Sequence, residues 1–471
     1  MLQINQIYIN GQFVTPHGEE RFDLFNPATA EPIAQVRLAD EHDAISAISA
    51  AKQAFPEFSR TPKATRVIYL KRMHAAVASV EAELTAAIIL EYGAPLSRAQ
   101  WMAKHAASVL LDAANVLDDY AFTRRIGIAE VTLQPLGVAG LITPWNSNAG
   151  FICGKLAAAL AAGCTAVIKP SEMSALQTSI VTRALHEAGL PPGVFNIVTG
   201  RGETVGAVLS THPDIAKVSF TGSTAVGKQI LRAGAETLKR ITLELGGKSP
   251  VLILEDADLA SAVPMAIQAG FMNSGQACIA GTRILVPAHR LAEVEALMVE
   301  AVAKVQAGDP NDPATSVGPM VSLKQWQRVQ RYIHIGMEEG ARLLVGGPGL
   351  PEGVTTGWFV KPTVFSRVSN QMTIAREEIF GPVLSIITYS DEEEALAIAN
   401  DTAYGLQAYI LSSDLPKAHA LATRIEAGRV LINTLAHEPR APFGGFKQSG
   451  IGRECGTFGL EAFLEPKSVL S

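Results

Sequence analysis

The sequence predicts an α/β protein with two parallel-sheet domains and a small strand-rich bridging element. Apolar residues recur at three- and four-residue spacing through 44–55, 64–91 and 97–120, which indicates helices. From residue 138 onward, short β-branched runs alternate with helical segments. This alternation is typical of parallel strands that are covered on both faces by helices.

The strand-like runs predict where the sheets lie. They are VAGLI (138–142), AVIKP (166–170), FNIV (195–198), KVSF (217–220), ITLEL (241–245) and VLIL (251–254). A second alternating block begins near residue 250 and contains RILV (283–286), VLSIITY (383–389) and RVLIN (429–433). Two outlying segments, 123–133 and 465–470, also read as strands. They serve either subunit assembly or an edge hairpin on one subunit, and the sequence leaves both readings open.

Composition limits the classes of function. The chain has 471 residues, of which 48% are hydrophobic and 18% charged, so large cores are expected and extensive disorder is excluded. Its 39 basic and 45 acidic residues give a net charge of −6, without a sustained basic run. Binding of nucleic acid is therefore not expected, because contacts with phosphates require clustered Lys and Arg.

Neither a membrane span nor a signal peptide is expected. The most apolar long stretch, 138–168, is interrupted by polar residues and Pro144, whereas a span needs about 20 apolar residues. Residues 1–10 lack a charged start and an apolar core. The four cysteines form no CxxC pair and have no histidines at zinc-site spacing. We therefore expect no metal site, and a reduced cytoplasm fits best.

Cys278 is the first candidate for chemistry. It lies in FMNSGQACIAGTRI (271–284), where small neighbours would let a substrate approach the thiol closely. A thiolate is a strong nucleophile, even from a thiol with the ordinary pKa of about 8.5. A buried structural role is the alternative for Cys278, and it is the role we assign to Cys153, Cys164 and Cys455.

Glu244 is a candidate base. It ends an otherwise apolar strand in LELGGK (243–248), at the sheet edge where open α/β folds bind ligands. A glutamate that is partly removed from water gains a raised pKa and can act as a base near neutrality. The alternative is a carboxylate that caps the next helix or pairs with Lys248.

Asn146 and Trp145 form the third element, in ITPWNSN (142–148), which again follows a strand directly. Trp145 supplies a stiff apolar wall, and Asn146 supplies an uncharged amide donor for a developing oxyanion. An Asx-turn that closes the strand is the alternative for Asn146.

Two loops are candidates for binding a nucleotide. GRGETVG (200–206) resembles GxGxxG, but Val205 occupies the third glycine position, so the match is poor. In SFTGSTAVG (219–227) a strand ends and Gly222 and Ser223 open a helix, whose free N–H groups suit a pyrophosphate. Lys169 and Glu172 follow another strand and suit ribose hydroxyls. Glu172 would repel a 2′-phosphate, which favours NAD over NADP.

Taken together, these segments resemble the aldehyde dehydrogenase superfamily, of the NAD(P)-dependent, hydrolytic type. The motifs that carry the resemblance follow the family's order along nearly the whole chain. They are INGQF (9–13), FNPAT (25–29), TPWN (143–146), KPSE (169–172), FTGSTAVG (220–227), LELGGK (243–248), SGQAC (274–278), EEIFGPV (377–383) and PFGGFKQSGIGRE (442–454).

The resemblance implies a role for each candidate residue. Cys278 would be the nucleophile and Glu244 the general base, while Asn146 and the backbone N–H of Cys278 would form the oxyanion site. The other implied positions are a proton relay at Lys155 and Glu454, a cofactor wall at Trp145, an adenosine-ribose site at Lys169 and Glu172, a pyrophosphate site at Gly222 and Ser223, a nicotinamide-ribose site at Glu378, and a nicotinamide contact at Phe380.

The resemblance also implies domains and partners. Residues 1–120 and 136–246 would form a Rossmann-like cofactor domain, 247–448 a catalytic domain, and 121–135 with 449–471 a bridging element. That element would join subunits into a homodimer or homotetramer. The expected cofactor is NAD, with NADP as the alternative, and the expected partner is a small-molecule aldehyde.

The implied reaction oxidises an aldehyde to the carboxylic acid through a cysteine thiohemiacetal and a thioester that glutamate-activated water hydrolyses. One rival is a CoA-acylating semialdehyde dehydrogenase, against which the presence of Glu244 argues. The other rival is a non-catalytic structural or binding member of the same fold. The presence of Cys278, Glu244 and Asn146 together argues against it.

Two departures from the family's pattern concern the substrate. Ser147 and Gly154 are small where bulky residues are common, which predicts a wider tunnel for branched or aromatic aldehydes. Arg440 either anchors an anionic semialdehyde or is a surface arginine on a turn.

Overall fold

The computed structural model describes residues 1–470 and confirms the α/β class. The helices in this range are α1 (Glu41–Phe58), α2 (Lys63–Ser79), α3 (Glu81–Tyr92), α4 (Leu96–Asp119), α5 (Asn148–Ala162), α6 (Ala175–Glu187), α7 (Ala207–Thr211), α8 (Thr224–Gly234), α9 (Leu259–Phe271), α10 (Leu291–Val302), α11 (Leu323–Glu338), α12 (Thr373–Arg376), α13 (Glu392–Asn400), α14 (Leu415–Ala422) and α15 (Gly456–Glu461).

Twenty-one strands accompany these helices within residues 1–470. They are β1 (Leu2–Ile4), β2 (Ile7–Ile9), β3 (Gln12–Val14), β4 (Arg21–Asn26), β5 (Glu31–Arg37), β6 (Thr123–Ile126), β7 (Ala129–Pro135), β8 (Val138–Ile142), β9 (Thr165–Lys169), β10 (Phe195–Ile197), β11 (Ile215–Thr221), β12 (Arg240–Glu244), β13 (Pro250–Ile253), β14 (Arg283–Pro287), β15 (Arg342–Val345), β16 (Thr363–Ser366), β17 (Val383–Tyr389), β18 (Gln407–Leu411), β19 (Arg429–Ile432), β20 (Gly450–Ile451) and β21 (Leu464–Leu470).

An eight-stranded sheet carries the first block of strands, in the order β20-β12-β11-β8-β9-β10-β2-β3. The five strands from β12 to β10 are parallel, and β20, β2 and β3 extend the two edges in antiparallel pairing. The strand order reverses between β8 and β11, which lie side by side although β9 and β10 separate them in sequence. Open α/β sheets bind ligands at such a reversal, beyond the carboxyl ends of the strands.

A seven-stranded sheet carries the second block, in the order β15-β16-β17-β14-β13-β18-β19. All of its neighbouring strands are parallel except the edge pair β15 and β16. Strands β13, β14 and β18 are buried along their whole length, which explains their continuous apolar runs. The run VLIL (251–254) therefore belongs to this second sheet.

Two small sheets complete the fold, with the orders β1-β5-β4 and β21-β7-β6. Segment 123–133, predicted as one strand, is a hairpin, because Gly127 adopts a left-handed conformation (φ 58°) and turns the chain between β6 and β7. The predicted bridging segment 449–471 is divided between sheets. Strand β20 pairs with β12 of the eight-stranded sheet, and only β21 pairs with β7.

The helical region near the N-terminus differs from the prediction at one point. Segment 64–91 is two helices, α2 and α3, bent by 64° at Val80, whose backbone is not helical (φ −107°, ψ 15°). Both helices pack against α4. The buried face of α4 consists largely of alanines, which let neighbouring helix axes approach closely.

Within residues 1–470, no single helix is both long and apolar enough to cross a membrane. The bent pair of α2 and α3 meets the length and composition criteria jointly, and both helices contribute buried residues to the core that surrounds α4.

Candidate active site

A cavity of about 470 Å³ lies beside α4 and α5, and the first three candidate segments meet near it. Cys278 and Asn146 both line its wall. Asn146 follows β8 of the eight-stranded sheet, whereas Cys278 follows α9 and precedes β14 of the seven-stranded sheet. The cavity therefore lies where the two sheets face each other.

The segment before Cys278 has an unusual backbone. Asn273, Ser274 and Gly275 are consecutively left-handed, with φ values of 54°, 59° and 72°. Such a conformation is unfavourable for the two non-glycine residues and persists only where the surroundings impose it. Here the Ser274 hydroxyl accepts a hydrogen bond from the N–H of Gly318 (2.9 Å), and the Gln276 side chain accepts one from the N–H of Val321 (3.0 Å).

Two glycine contacts join this segment to its neighbours. A Cβ on Gly275 would lie 2.2 Å from the carbonyl carbon and oxygen of Gly381, and one on Gly247 would lie 2.3 Å from the carbonyl oxygen of Cys278. A Cβ on Gly246 would lie 2.5 Å from the carboxylate of Glu378. Only glycine fits at Gly275 and Gly247, where the neighbours are backbone atoms, so the LELGGK and EEIFGPV motifs hold Cys278 in place.

The Cys278 thiol is partly exposed to the cavity, and its pKa is raised to about 12. Burial is the largest cause, and the carboxylates of Glu378 and Glu244 raise the pKa further. The group is therefore a neutral thiol at physiological pH and needs a proton acceptor before it can attack. Cys153 and Cys164 are buried, in agreement with a structural role, whereas Cys455 lines the same cavity as Cys278.

Asn146 is held by hydrogen bonds at both ends of its residue. Its Nδ2 donates to the carbonyl of Gln276 (3.0 Å), and its own backbone carbonyl accepts from the Asn273 side chain (3.1 Å). An amide nitrogen carries two N–H groups, and the second has no acceptor within residues 1–470. No backbone N–H in this range donates to the Asn146 side chain, which excludes the Asx-turn.

Glu244 lies at the end of β12 with 2% of its surface exposed, and neither carboxylate oxygen has a hydrogen-bond partner within residues 1–470. Its pKa is raised well above the ordinary value, first by burial and then by the nearby Glu454 carboxylate, although Lys155 and Arg453 act in the opposite direction. It does not pair with Lys248, whose Nζ also lacks a partner. The carboxylate packs against Gly444, just outside the cavity wall.

Lys155 and Glu454 form an ion pair between α5 and the segment after β20, in which the lysine is buried and the glutamate is partly exposed. Ser219 of β11 completes this cluster, since its hydroxyl accepts from Lys155 (2.9 Å) and donates to Glu454 (3.1 Å). Sequence reasoning missed Ser219. The period-two alternation of β11 could have indicated it, because Lys217, Ser219 and Thr221 share one face of an otherwise apolar strand.

Lys169 and Glu172 are adjacent at the end of β9, where Nζ donates to a carboxylate oxygen over 3.2 Å. Arg201 also pairs with Glu172 (3.3 Å), and nothing in the sequence indicated this arginine apart from its place in the 200–206 loop. Burial would raise the pKa of Glu172, but the two cations and nearby hydrogen bonds hold it below its ordinary value. Glu172 is thus ionised.

Gly222 and Ser223 lie at the strand-order reversal, beyond β11. Ser223 caps α8 by accepting from the N–H of Val226 (3.4 Å). The N–H of Gly222 donates to the carbonyl of Glu244 (3.0 Å), so this N–H is not free for a ligand. The remaining N–H groups of the first turn of α8 provide the positive end of the helix dipole.

The remaining three candidates are Trp145, Phe380 and Glu378, and Glu378 lies close enough to Cys278 to affect its pKa. The Trp145 and Phe380 rings meet edge to face, with centroids 5.3 Å apart. Phe380 is left-handed (φ 64°), and its carbonyl accepts from Gln325 (2.7 Å). Glu378 accepts from the N–H of Gly247 (3.0 Å), and burial raises its pKa to about 7.

Of the predicted residues, Cys278, Asn146, Lys155 and Glu454 line the cavity, and Glu244 and Glu378 lie close enough to Cys278 to raise its pKa. The predicted adenosine-ribose and pyrophosphate residues lie at the ends of β9 and β11 and do not line this cavity.

Comparison with known proteins identifies the family. The model of the aldehyde dehydrogenase family matches residues 13–469. The chain belongs to the aldehyde dehydrogenase family. The predicted class, an NAD(P)-dependent oxidoreductase that acts on aldehydes, is confirmed, as is the NAD-type cofactor.

Individual relatives cover the whole fold. The chain is 45% identical to a 3-succinoylsemialdehyde-pyridine dehydrogenase of Pseudomonas, over 100% of this chain and 99% of that one. It is also 45% identical to aldehyde dehydrogenase C of Pseudomonas syringae, solved as a variant with NAD+ and octanal. That structure has a TM-score of 0.98, covering 99% of this chain and 96% of that one.

A third similar protein is an aldehyde dehydrogenase of Mycobacterium tuberculosis, solved with NAD+. It is 41% identical with a TM-score of 0.96, covering 100% of this chain and 98% of that one.

Replacement of Gly275 by alanine is expected to damage both stability and turnover. The new Cβ would overlap Gly381 and would strain a left-handed residue. We expect the free energy of unfolding to fall by about 2 kcal/mol or more, and kcat to fall with it. Urea unfolding and steady-state kinetics measure the two effects. Gly202→Ala is the control, since a Cβ there contacts nothing within 4 Å. Equal behaviour of the two variants would contradict the packing argument.

The raised pKa of Cys278 predicts slow alkylation of the cofactor-free protein. Because the thiolate is the reactive form, the rate of modification by iodoacetamide at Cys278 should keep rising above pH 9, rather than level off near the ordinary thiol pKa of about 8.5. Mass spectrometry that resolves each cysteine measures this rate, with an unstructured cysteine peptide as reference. A plateau near neutrality would show that the thiol is already ionised.

Proposed function

We propose that this chain oxidises an aldehyde with NAD+ and hydrolyses the resulting thioester, with Cys278 as nucleophile and Glu244 as base. The single observation that supports hydrolysis most strongly is the environment of the Glu244 carboxylate. This carboxylate is buried, has no hydrogen-bond partner within residues 1–470, and has a raised pKa. An unpaired buried carboxylate is costly for stability, and such a cost is typical of groups retained for chemistry.

The first step takes place at Cys278. Glu244, which lies close enough to Cys278 to affect the pKa of the thiol, accepts the thiol proton. The resulting thiolate forms a carbon–sulfur bond with the aldehyde carbon and leaves an alkoxide. The free N–H of Asn146 and the backbone N–H of Cys278, which donates to no residue within 1–470, stabilise this oxyanion. Collapse of the thiohemiacetal releases a hydride and leaves a thioester on the sulfur.

The second step is hydrolysis. Glu244 removes a proton from water, hydroxide adds to the thioester carbonyl, and the carbon–sulfur bond breaks to release the carboxylic acid. The ion pair of Lys155 and Glu454, bridged by Ser219, lies close enough to Glu244 to affect its pKa. We propose that this pair takes the proton onward from Glu244.

The cofactor would occupy the strand-order reversal. Lys169 and Glu172 would hold the adenosine ribose, the turn at Gly222 and Ser223 the pyrophosphate, and Glu378 the nicotinamide ribose, with Trp145 and Phe380 as walls. NAD+ supplies the hydride acceptor for the reaction. The ionised Glu172 supports NAD over NADP, since a 2′-phosphate would meet its negative charge.

The predicted tunnel is the cavity beside Cys278, and the small residues in its wall support a bulky substrate. Ser147 and Gly154 both line the cavity, and a Cβ added to Gly154 would have only Val109 within 4 Å, at 3.9 Å. The substrate class that we propose is therefore an aldehyde with an extended apolar, branched or aromatic body. The names of two relatives, an octanal complex and a pyridine semialdehyde dehydrogenase, are compatible with that class.

Assembly, location and domain limits are further parts of the proposal. We infer a homodimer or homotetramer formed through β6, β7 and β21, where Ile126, Ile128 (72% exposed) and Leu470 leave apolar surface.

The four cysteines are free, which suits the reduced cytoplasm. The division into a cofactor domain (1–120 and 136–246), a catalytic domain (247–448) and a bridging element (from 121–135 and 449–471) stays a prediction.

Replacement of Glu244 by glutamine tests the proposed function. The variant should release about one reduced cofactor per site, more slowly than the parent, and then stall, because the thioester still forms but water is not activated. Rapid-mixing absorbance of the reduced nicotinamide measures this burst, and mass spectrometry detects the acyl group on Cys278. Cys278→Ala should give no burst, and Glu438→Gln, an exposed carboxylate, should behave as the parent.

Two results would redirect this proposal. Added coenzyme A that accelerates turnover and appears in the product would favour the CoA-acylating rival. Absence of any burst from the parent protein with every aldehyde and both cofactors would favour a non-catalytic member.

Filling the tunnel at Gly154 should change substrate preference. Gly154→Leu is expected to reduce kcat/KM for branched and aromatic aldehydes by about tenfold or more, with little loss for short aliphatic ones, because the side chain would occupy the cavity. Gly154→Ala is the matched control, since a methyl group fits beside Val109. Steady-state kinetics on an aldehyde panel measure this. A uniform loss over the panel would contradict the proposed width.

A further inference from the structure

Arg98 is a cavity residue to which the reaction assigns no role. It lies in the first turn of α4, and Trp101, His105, Val109 and Asp112 follow it on the face that lines the cavity. These positions are three or four residues apart, so their side chains project from one stripe of the helix. The guanidinium therefore reaches the same cavity as Cys278.

Aromatic stacking fixes the orientation of Arg98. Its guanidinium carbon lies 4.1 Å from the centre of the Trp101 ring, which in turn stacks on His105 at 4.7 Å and 13°. A cation over the face of an indole is held without use of its N–H donors. The stack thus orients the group and leaves its hydrogen-bonding edge available.

The donors of Arg98 have no acceptor in the protein. Within residues 1–470 the side chain forms no hydrogen bond and no ion pair, and its Nε is shielded from solvent without a partner. Arginine stays protonated in proteins and offers five N–H donors. A shielded donor without an acceptor is unfavourable, so this arrangement suits a ligand that supplies the acceptor.

The charges around the cavity favour an anion. Four basic side chains line it, Arg98, Lys155, Arg429 and Arg453, against the two acidic side chains of Asp112 and Glu454. Burial, followed by the neighbouring His437 and Arg98, lowers the pKa of His105 to about 4, so this imidazole is neutral at physiological pH.

The other basic groups already have partners. Lys155 pairs with Glu454, Arg429 donates to Gln407, and Arg453 donates to the carbonyl of Gly445. Asp112 is about 21 Å further along α4 at roughly 1.5 Å per residue, too far to neutralise Arg98.

Arg98 is also close to the oxyanion site. The phenol of Tyr92 lies near enough to Arg98 and to Asn273 for both to affect its pKa. Asn273 in turn donates to the backbone carbonyl of Asn146 (3.1 Å). Two side chains therefore separate the guanidinium from the residue that would hold the reacting oxygen.

We propose that Arg98 binds a carboxylate carried by the substrate at the end remote from its aldehyde group, so that, among the apolar-bodied aldehydes proposed above, the preferred members are semialdehydes that end in a carboxylate. This inference rests on the proposed function and deepens it. The planar guanidinium fits a carboxylate through two parallel hydrogen bonds. The alternative anchor, Arg440, does not line the cavity, is 76% exposed and pairs with Glu438. Arg440 is therefore the surface arginine.

The test compares paired substrates in four proteins: the parent, Arg98→Ala, Arg98→Lys and Arg440→Ala. Each pair consists of an ω-carboxyaldehyde and the methyl-terminated aldehyde of equal length. Arg98→Ala should lower kcat/KM for the carboxylated member by on the order of ten- to a hundredfold, mainly through KM, because a charge-assisted pair is lost. The methyl-terminated member should change by less than about twofold.

The remaining proteins act as controls. Arg98→Lys keeps the charge but loses the paired geometry, so an intermediate loss is expected. Arg440→Ala should match the parent on both substrates. Equal losses on both members of a pair in Arg98→Ala, or a parent without preference for the carboxylated member, would overturn the proposal.

A binding measurement separates this inference from the proposed function. Glutarate, as a probe for the carboxylate site, is titrated into the parent and each variant by calorimetry, with no turnover required. Binding that Arg98→Ala weakens about tenfold or more, and Arg440→Ala leaves unchanged, supports the site. Glutarate binding that is equal in all variants overturns it, even where every aldehyde is oxidised. Turnover of no aldehyde would refute the proposed function alone.

Discussion

The architecture of the cleft depends on one steric constraint, the close contact of two backbones across the boundary between the sheets. Gly246 and Gly247 follow β12 of one sheet and lie against the Glu378 carboxylate and the Cys278 carbonyl oxygen of the other. A Cβ on Gly247 would lie only 2.3 Å from that carbonyl oxygen, so a side chain there would force the two backbones apart. Cys278, Glu244 and Glu378 come from distant parts of the sequence, and this contact brings them together.

Electrostatics then divides the cleft into two regions. On the catalytic side, burial and neighbouring carboxylates raise the pKa values of both Cys278 and Glu244, so both groups tend to hold their protons. On the cofactor side, Lys169 and Arg201 keep Glu172 ionised. The same residue types thus differ in charge state because their cationic neighbours differ. The Lys155–Glu454 pair lies near enough to Glu244 to influence its proton.

The sequence predicted the fold class and strands such as β13 and β14, because their apolar runs are buried on both faces and leave a clear signal. It did not single out β18, although this strand is buried in the same way. The break at Val80 was not predictable from periodicity, since apolar spacing continues through it and the bend is imposed by packing on α4. Likewise, the pairing of β20 with β12 depends on tertiary contacts.

The site residues also divide into those with a local sequence signal and those that depend on tertiary contacts. Cys278, Glu244 and Asn146 lie in motifs with recognisable neighbours. Ser219 belongs to the strand at the start of SFTGSTAVG, a motif whose signal is the glycine turn that follows, and Arg98 lies in ordinary helix sequence. Arg440 was a candidate because it adjoins a motif, but adjacency in sequence does not place a side chain in the cavity. Only the stripe of α4 that faces the cavity distinguishes Arg98 from the exposed arginines.

The positions of β20, Glu454 and β21 have a consequence for biosynthesis. The eight-stranded sheet gains its edge strand, the ion pair gains its carboxylate, and β7 gains its partner only when the last part of the chain has emerged from the ribosome. Contacts this distant in sequence form late and slowly. A nascent chain thus contains Cys278 well before the carboxylate beside Lys155 exists, so the proton pathway proposed for Glu244 is complete only after Glu454 has been added to the chain.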